Sequence, residues 1–243
     1  MNRDEFNKHI SEQMNRNIEA LFNEVLEMGG LVEQQLADLN RALESNDVEL
    51  AKDAIKQDEN INRGEMEIDR LCSTVLARQQ PTASDLRLIV MAIRIAMDLE
   101  RMGDEAVKIA KMALEQCTIG GDCTTMPAYN FLRQLMLASS QMIKTALNGF
   151  SRLDTSDVMS IYHEEERMDE VLNQAVESIK SELLVSDSAD KVDLQLRMLM
   201  AVRAAERITD HALNIGESVA YLVKGQDIRN LDEEAMAKLL SQK

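Results

Sequence analysis

The chain has 243 residues and a formal net charge of −16, from 43 acidic against 27 basic side chains. That charge repels phosphate backbones and anionic lipid, which are held through Lys and Arg, so nucleic-acid and direct membrane-surface binding are excluded as primary roles. With 45% hydrophobic and 3% aromatic residues, 2 Pro and 9 Gly, the composition favours a globular all-helical protein over a sheet protein.

In chain order, the first ten residues are mixed polar and lack the apolar segment of a signal peptide. A first helix is predicted from about Asp4 to Glu44, with Ile18, Leu21, Val25, Met28, Val32, Leu36 and Leu39 on one stripe and Gly29-Gly30 as a local weakness. Ser45, Asn46 and Asp47 are a stop and a new N-cap. A second helix runs from about Val48 to Arg78 and ends ahead of Pro81, because the residue before proline is disfavoured in helix. Thr82 caps a third helix, with Asp85 in a near capping box, that runs to about Cys117. Thr118 to Pro127 holds Gly120, Gly121 and Asp122 and is the one clear break. A fourth helix is predicted from about Ala128 to Leu153, a fifth from about Val158 to Val185 and a sixth from about Ala189 to Lys224. A short tail helix over Glu233 to Leu240 follows Gly225.

The two halves match. Glu100, Arg101, Asp104, Ala106 and Ile109 align at one constant offset with Glu206, Arg207, Asp210, Ala212 and Ile215. The expectation is an all-α fold of two tandem, duplicated three-helix bundles, six long helices in up-down-up order. The predicted boundaries are a first bundle over residues 1–118, a linker over 119–127, and a second bundle with its tail over 128–243. No run of about 18 apolar residues is present; the most apolar stretch, Leu88 to Leu99, is interrupted by Arg94 and Asp98. A cytoplasmic chain is therefore expected. Its three cysteines, Cys72, Cys117 and Cys123, lack metal-type spacing. Cys117 and Cys123 could pair across the linker, but free thiols are the expectation in a reducing compartment.

Heptad bookkeeping makes the acidic residues informative, since positions seven apart lie nearly on one line of a helix. Leu86, Ile93, Val107 and Leu114 share a line with Glu100, and Val192, Leu199, Leu213 and Ala220 share one with Glu206. Glu165 interrupts a similar line, while Asp58 and Glu65 share one in the second helix. Asp104, Asp210, Asp169 and Asp69 each follow one of these glutamates by four residues, which puts each pair on one face, about 5 to 6 Å apart at Cβ. Such carboxylates repel one another and need arginines, protons, solvent or metal to offset them. Arg94, Arg101, Arg203 and Arg207 are the arginines at hand. If metal is the answer, an all-oxygen set suits Mg²⁺, Ca²⁺, Mn²⁺ or iron rather than zinc. No histidine stands three residues after a glutamate, so the di-iron Glu-x-x-His signature is missing. His211 reads as a surface residue or a marginal ligand.

Leu99-Glu100-Arg101-Met102-Gly103-Asp104, Glu206-Arg207-Ile208-Thr209-Asp210 and the Pro81 to Arg87 segment together resemble the PhoU family of phosphate-transport accessory proteins, over nearly the whole chain. The resemblance implies two tandem three-helix bundles and metal-binding E/D-x-x-x-D motifs. The matching positions are Glu65 and Asp69, Glu100 and Asp104, Glu165 and Asp169, and Glu206 and Asp210, with Asp58 beside them. Here Asp58 is followed at plus four by Asn62, and the second half has Leu172 and Val176 where the first has Glu65 and Asp69. The resemblance further implies a negative regulator of the phosphate-starvation response and of phosphate uptake. Its implied partners are the ATPase subunit of a phosphate ABC transporter and a phosphate-sensing histidine kinase, so membrane contact is indirect; homodimers are common. No Gly-rich phosphate loop or nucleophile motif is present, so the expectation is a non-enzyme without an organic cofactor. The alternative reading is a carboxylate-bound metal enzyme or metal buffer.

Overall fold

A computed structural model describes residues 12–81 and 83–242. The predicted start of the first helix and the Thr82 cap lie outside the described residues. Within them the chain is all-helical, with α1 Glu12–Ser45, α2 Val48–Gln79, α3 Ala83–Thr118, α4 Tyr129–Arg152, α5 Val158–Leu184, α6 Ala189–Lys224 and α7 Glu233–Ser241. A short 3-10 turn, Cys123–Thr125, sits between α3 and α4.

Local chemistry sets the breaks. The Asp47 carboxylate accepts the N–H groups of Glu49 and Leu50 and opens α2. Ser188 does the same for α6 through the N–H of Lys191, and Asp232 for α7 through that of Ala235. Gly225 closes α6 in the left-handed region at φ 70°, donating its N–H to the Tyr221 carbonyl. All seven stripe residues predicted for the first helix are buried.

α1, α2 and α3 pack on one another, as do α4, α5 and α6, and the two triplets join through α3 against α6 and α1 against α4. Both joints are antiparallel. Along α3 and α6, Asp98 meets His211 and Asn214, Glu105 meets Arg207, and Glu115 meets Arg197. Along α1 and α4, Phe22 stacks near Phe150 with ring centroids 5.0 Å apart, while Glu44 pairs with Arg133 at 3.2 Å. One continuous apolar core therefore runs through both triplets, rather than one core per half. The segment between α3 and α4 belongs to it: Cys123 and Met126 are buried. The tail turns back over the other end, where Val158, Ala220, Ile228 and Met236 form a small satellite cluster.

Candidate carboxylate centres

The acidic motifs gather at two matched interfaces, α2 against α3 and α5 against α6. The glutamates flank the core rather than enter it. Leu88, Ile89, Ala92, Ile95, Ala96 and Leu99 form the buried face of α3, and the Leu86–Glu100 line lies at its edge, with Leu86 itself 41% exposed. A lone buried carboxylate is costly, whereas a half-buried one keeps water or a ligand on its open side.

At the first interface Asp58, Glu65 and Glu100 are half-buried and Asp69 and Asp104 are exposed. The three half-buried acids feel the charge of acidic neighbours. Burial first, then Asp104, pushes the Asp58 carboxyl above the ordinary carboxylate range. Burial followed by Asp69 does so for Glu65, and burial followed by Asp104 and Glu65 for Glu100. Asp58 Oδ2 accepts the Asn62 amide at 3.3 Å, yet Asp58 Oδ1 and Asn62 Oδ1 are both buried without a hydrogen-bond partner. Gly103 makes room for the Asp58 carboxylate: a Cβ there would stand 3.0 Å from Asp58 Oδ1.

At the second interface Glu165, Glu206 and Asp210 are half-buried and Asp169 is exposed. The facing positions Leu172 and Val176 pack into the core, which leaves fewer acids here. These acids are nonetheless the more strongly perturbed. Burial, then Asp169 and Asp210, raises Glu165 to about 7. Burial, then Asp210 and Asp169, raises Glu206 to about 7. Asp210 is raised as well, by burial and then Asp169, while the charge of His211 pulls the other way.

All nine predicted positions thus fall into these two clusters, five in the first and four in the second. Among the described residues, the arginines at hand form no ion pair with these acids. Arg207 instead crosses to Glu105 of α3, Nε to Oε1 at 3.2 Å, and Lys108 reaches the same oxygen at 2.8 Å. Among the described residues, no group of three or more His, Cys, Asp or Glu side chains stands as a formed cage for a metal ion. The donor set is still the one a hard cation takes: carboxylate and amide oxygens, two of them buried and unsatisfied at Asp58 and Asn62. Asp58, Glu65, Glu100 and Asp104 would supply the ligands of the first centre, and Glu165, Asp169, Glu206 and Asp210 those of the second.

Three features escaped the sequence reading. Glu105 is a buried acid, 3% exposed, that locks α3 to α6. His211 is buried rather than on the surface, and its Nδ1 lies 2.9 Å from Asp98 Oδ1. Glu217 is raised to about 7 by burial, against the opposing charge of Arg229. It lines a cleft of about 200 Å³ with Arg94, Arg101, Tyr221 and Arg229. A charged residue on the apolar face of α3 was the available signal for Glu105; the pairing of α3 with α6, which governs the other two, has no local signature.

An all-helical chain whose halves carry the same acidic signature on corresponding helices defines a narrow class of protein. The PhoU domain model matches it twice, over residues 25–113 and again over 132–219. This chain belongs to the PhoU family. It is 38% identical over 234 residues to the phosphate-specific transport system accessory protein PhoU of Serratia marcescens, covering 96% of this chain and 94% of that one. It is 37% identical over 237 residues to the protein of the same name from Escherichia coli K12, covering 98% and 96%. The crystal structure of PhoU from Pseudomonas aeruginosa superposes with a TM-score of 0.81 at 36% identity, covering 87% of this chain and 99% of that one. The phosphate transport system regulatory protein PhoU of Streptococcus pneumoniae superposes with a TM-score of 0.76 at 29% identity, covering 86% and 96%. Among the described residues no helix is long and apolar enough to cross a membrane.

Proposed function

We propose that this chain is an accessory protein of a phosphate-specific transport system. In this reading it restrains phosphate uptake and keeps the phosphate-starvation response off when phosphate is plentiful. It does so by contact, linking the ATPase subunit of a phosphate ABC transporter to a phosphate-sensing histidine kinase in the cytoplasm, without catalysis of its own. The observation that carries the reading is the near-full-length match, in both halves, to relatives named for that transport system. The double match also favours two tandem three-helix bundles born of one duplication.

Surface chemistry supports docking of partners and of a second copy. Leu86, Val90 and Met97 are exposed along the first half of α3, and Val192, Leu196 and Met200 along the first half of α6. Exposed aliphatic and Met side chains on a helix face suit adaptable helix-in-groove contacts. Deletion of the gene is expected to leave phosphate-starvation genes expressed in phosphate-rich medium. Pull-down from phosphate-replete cells is expected to recover both the kinase and the transporter ATPase. Unchanged repression in the deletion strain contradicts the reading.

A second element is divalent metal or iron on the carboxylate clusters, favoured by the unsatisfied oxygens of Asp58 and Asn62. The first cluster, with more acids, takes the larger load. Calorimetric titration with Mn²⁺ is expected to give saturable binding that weakens in Asp58→Asn. Absence of heat at millimolar metal defeats this element and leaves the regulatory one standing.

A further inference from the structure

At the connector between α3 and α4, one side-chain oxygen of Asn46 meets the thiol of Cys117 and the backbone N–H of Cys123. After α3 the chain reverses through Gly120, whose φ of 76° is left-handed. Gly120 donates its N–H to the Cys117 carbonyl at 3.0 Å, and Gly121 donates to the Gln116 carbonyl at 3.0 Å. This helix-ending reversal folds the connector back over the last turn of α3. Asp122 Oδ1 then accepts the Thr124 N–H at 2.8 Å and opens the 3-10 turn that begins at Cys123. Asn46, in the turn between α1 and α2, reaches across to both cysteines. Its Oδ1 accepts the Cys123 N–H at 2.7 Å and the Cys117 S–H at 3.9 Å, while its Nδ2 donates to Asp122 Oδ1 at 2.8 Å.

We propose that Cys117 and Cys123 form a reversible intramolecular disulfide, which makes the connector between the two helix triplets a redox-responsive modification site. Asn46 Oδ1 ties the Cys117 thiol and the Cys123 backbone to one point, so the two residues are neighbours although six positions apart in the chain. Their exposure differs in a useful way: Cys117 is half-buried and open to a reagent, whereas Cys123 is buried. Cys72, the third cysteine, is buried on α2 against the Ile89 carbonyl and takes no part.

The oxidant is a low-molecular-weight disulfide such as oxidised glutathione. The Cys117 thiolate attacks one of its sulfurs, the reagent's S–S bond breaks, and one glutathione thiolate leaves and takes a proton. Cys123 then loses its proton to water and its thiolate attacks Cys117 Sγ, expelling the second glutathione. The protein loses two electrons and two protons, and one glutathione disulfide becomes two thiols. The second step is slow at neutral pH, because Cys123 stays buried, and burial is the first cause that pushes its thiol up to about 12 in the reduced protein. Its thiolate fraction, and with it ring closure, grows about tenfold per pH unit in the range of about pH 7 to 9. The closed ring fixes the connector covalently; Cys123 keeps its N–H bond to Asn46 and only the weak S–H donor is lost.

The test uses the full chain, incubated with excess oxidised glutathione, blocked with maleimide after denaturation and mapped by peptide mass spectrometry. The expected product is a monomer with Cys117 joined to Cys123 and Cys72 free. The mixed disulfide on Cys117 precedes it and decays about tenfold faster per pH unit. Cys123→Ser is expected to stop at the mixed disulfide, and Cys117→Ser to leave Cys123 unmodified. Should Cys123→Ser fail to fold, the wild-type map decides alone. A stable mixed disulfide at Cys117 with Cys123 still free, a dimer bridged through Cys117, or oxidation of Cys123 in Cys117→Ser at the wild-type rate overturns the proposal.

Discussion

Glu165 of α5 and Asp210 of α6 are neighbours across the second acidic interface, and the charge of Asp210 helps to raise the Glu165 carboxyl. Neighbouring carboxylates disfavour each other's ionised form, so protons are held more tightly here than on a solvated carboxyl. Glu165 is raised from an ordinary 4.5 to about 7, and so is Glu206.

The pH dependence of stability follows from these raised carboxyls. Between the ordinary carboxylate value and the raised one, the native protein holds protons that the unfolded chain releases. Stability therefore falls as pH rises through this window. The melting temperature is expected to decline from about pH 5 to about pH 7.5. In Glu165→Gln, which removes one of the raised carboxyls, the decline becomes shallower. Thermal melts followed by circular dichroism check both; a wild-type profile that rises across the window contradicts the assignment.

Metal and protons compete for the same oxygens. A cation binds the ionised carboxylates, so its binding releases protons and stabilises the fold in proportion to free metal. Mn²⁺ is expected to raise the melting temperature more at about pH 7.5 than at about pH 5.5. The heat of titration is expected to depend on the ionisation enthalpy of the buffer. Asp104→Asn should weaken the response of the first centre and leave the slope from Glu165 in place. Equal metal effects at both pH values argue against carboxylate ligation.

The helices and the gathering of acids were legible because both are written in short-range spacing. Ile18 to Leu39 repeat at helical intervals, and Glu100 with Asp104 and Glu206 with Asp210 repeat four apart and again half a chain away. What spacing does not encode is how the two triplets meet. The heptad line through Glu100 runs along the flank of α3, because α6 covers a neighbouring face. That same packing buries Glu105, a charge set on the apolar face of α3, and His211, which looks like an ordinary surface residue. Segment 119–127 reads as a linker from its glycines, yet Asn46 anchors it and Cys123 fills part of the core. The perturbation of Glu165 and Glu206 depends on burial more than on the number of acids, so the interface with fewer acids carries the larger shifts.

Glu105 offers a test of the joint between triplets. Its side chain is 5% exposed and meets Arg207 at 3.2 Å and Lys108 at 2.8 Å, both of which are more than half exposed. Glu105→Ala leaves those two cations free to turn to water, so the loss is that of the charged hydrogen bonds and some packing, about 1 to 3 kcal/mol. Arg207→Ala is expected to cost more than a typical surface substitution, because it strips a nearly buried carboxylate of one partner. A double-mutant cycle of Glu105→Ala and Arg207→Ala in urea should return a coupling of about 0.5 kcal/mol or more. Strict additivity would mean that the pair contributes nothing to holding α3 against α6.

Gly29 and Gly30 are adjacent in α1, and their environments predict opposite responses to the same substitution. The helix runs through both, so neither is a stop. Gly30 is exposed, and a Cβ there meets nothing within 4 Å. Gly30→Ala therefore gains only helix propensity and a less flexible unfolded chain, about 0.5 to 1 kcal/mol of stability. Gly29 faces α4, where a Cβ would stand 2.5 Å from Leu147 Cδ1 and 2.9 Å from Cδ2. Leu147 is itself buried, so it has little free space into which to rotate. The overpacking cost of about 1 to 3 kcal/mol outweighs the propensity gain, and Gly29→Ala is expected to destabilise. Adding Leu147→Ala removes the methyl groups in the way. The double variant should then lose less than the sum of the two single losses. Urea denaturation of the four proteins reads all three terms, and a stabilised Gly29→Ala would show that α1 and α4 can separate at this point without penalty.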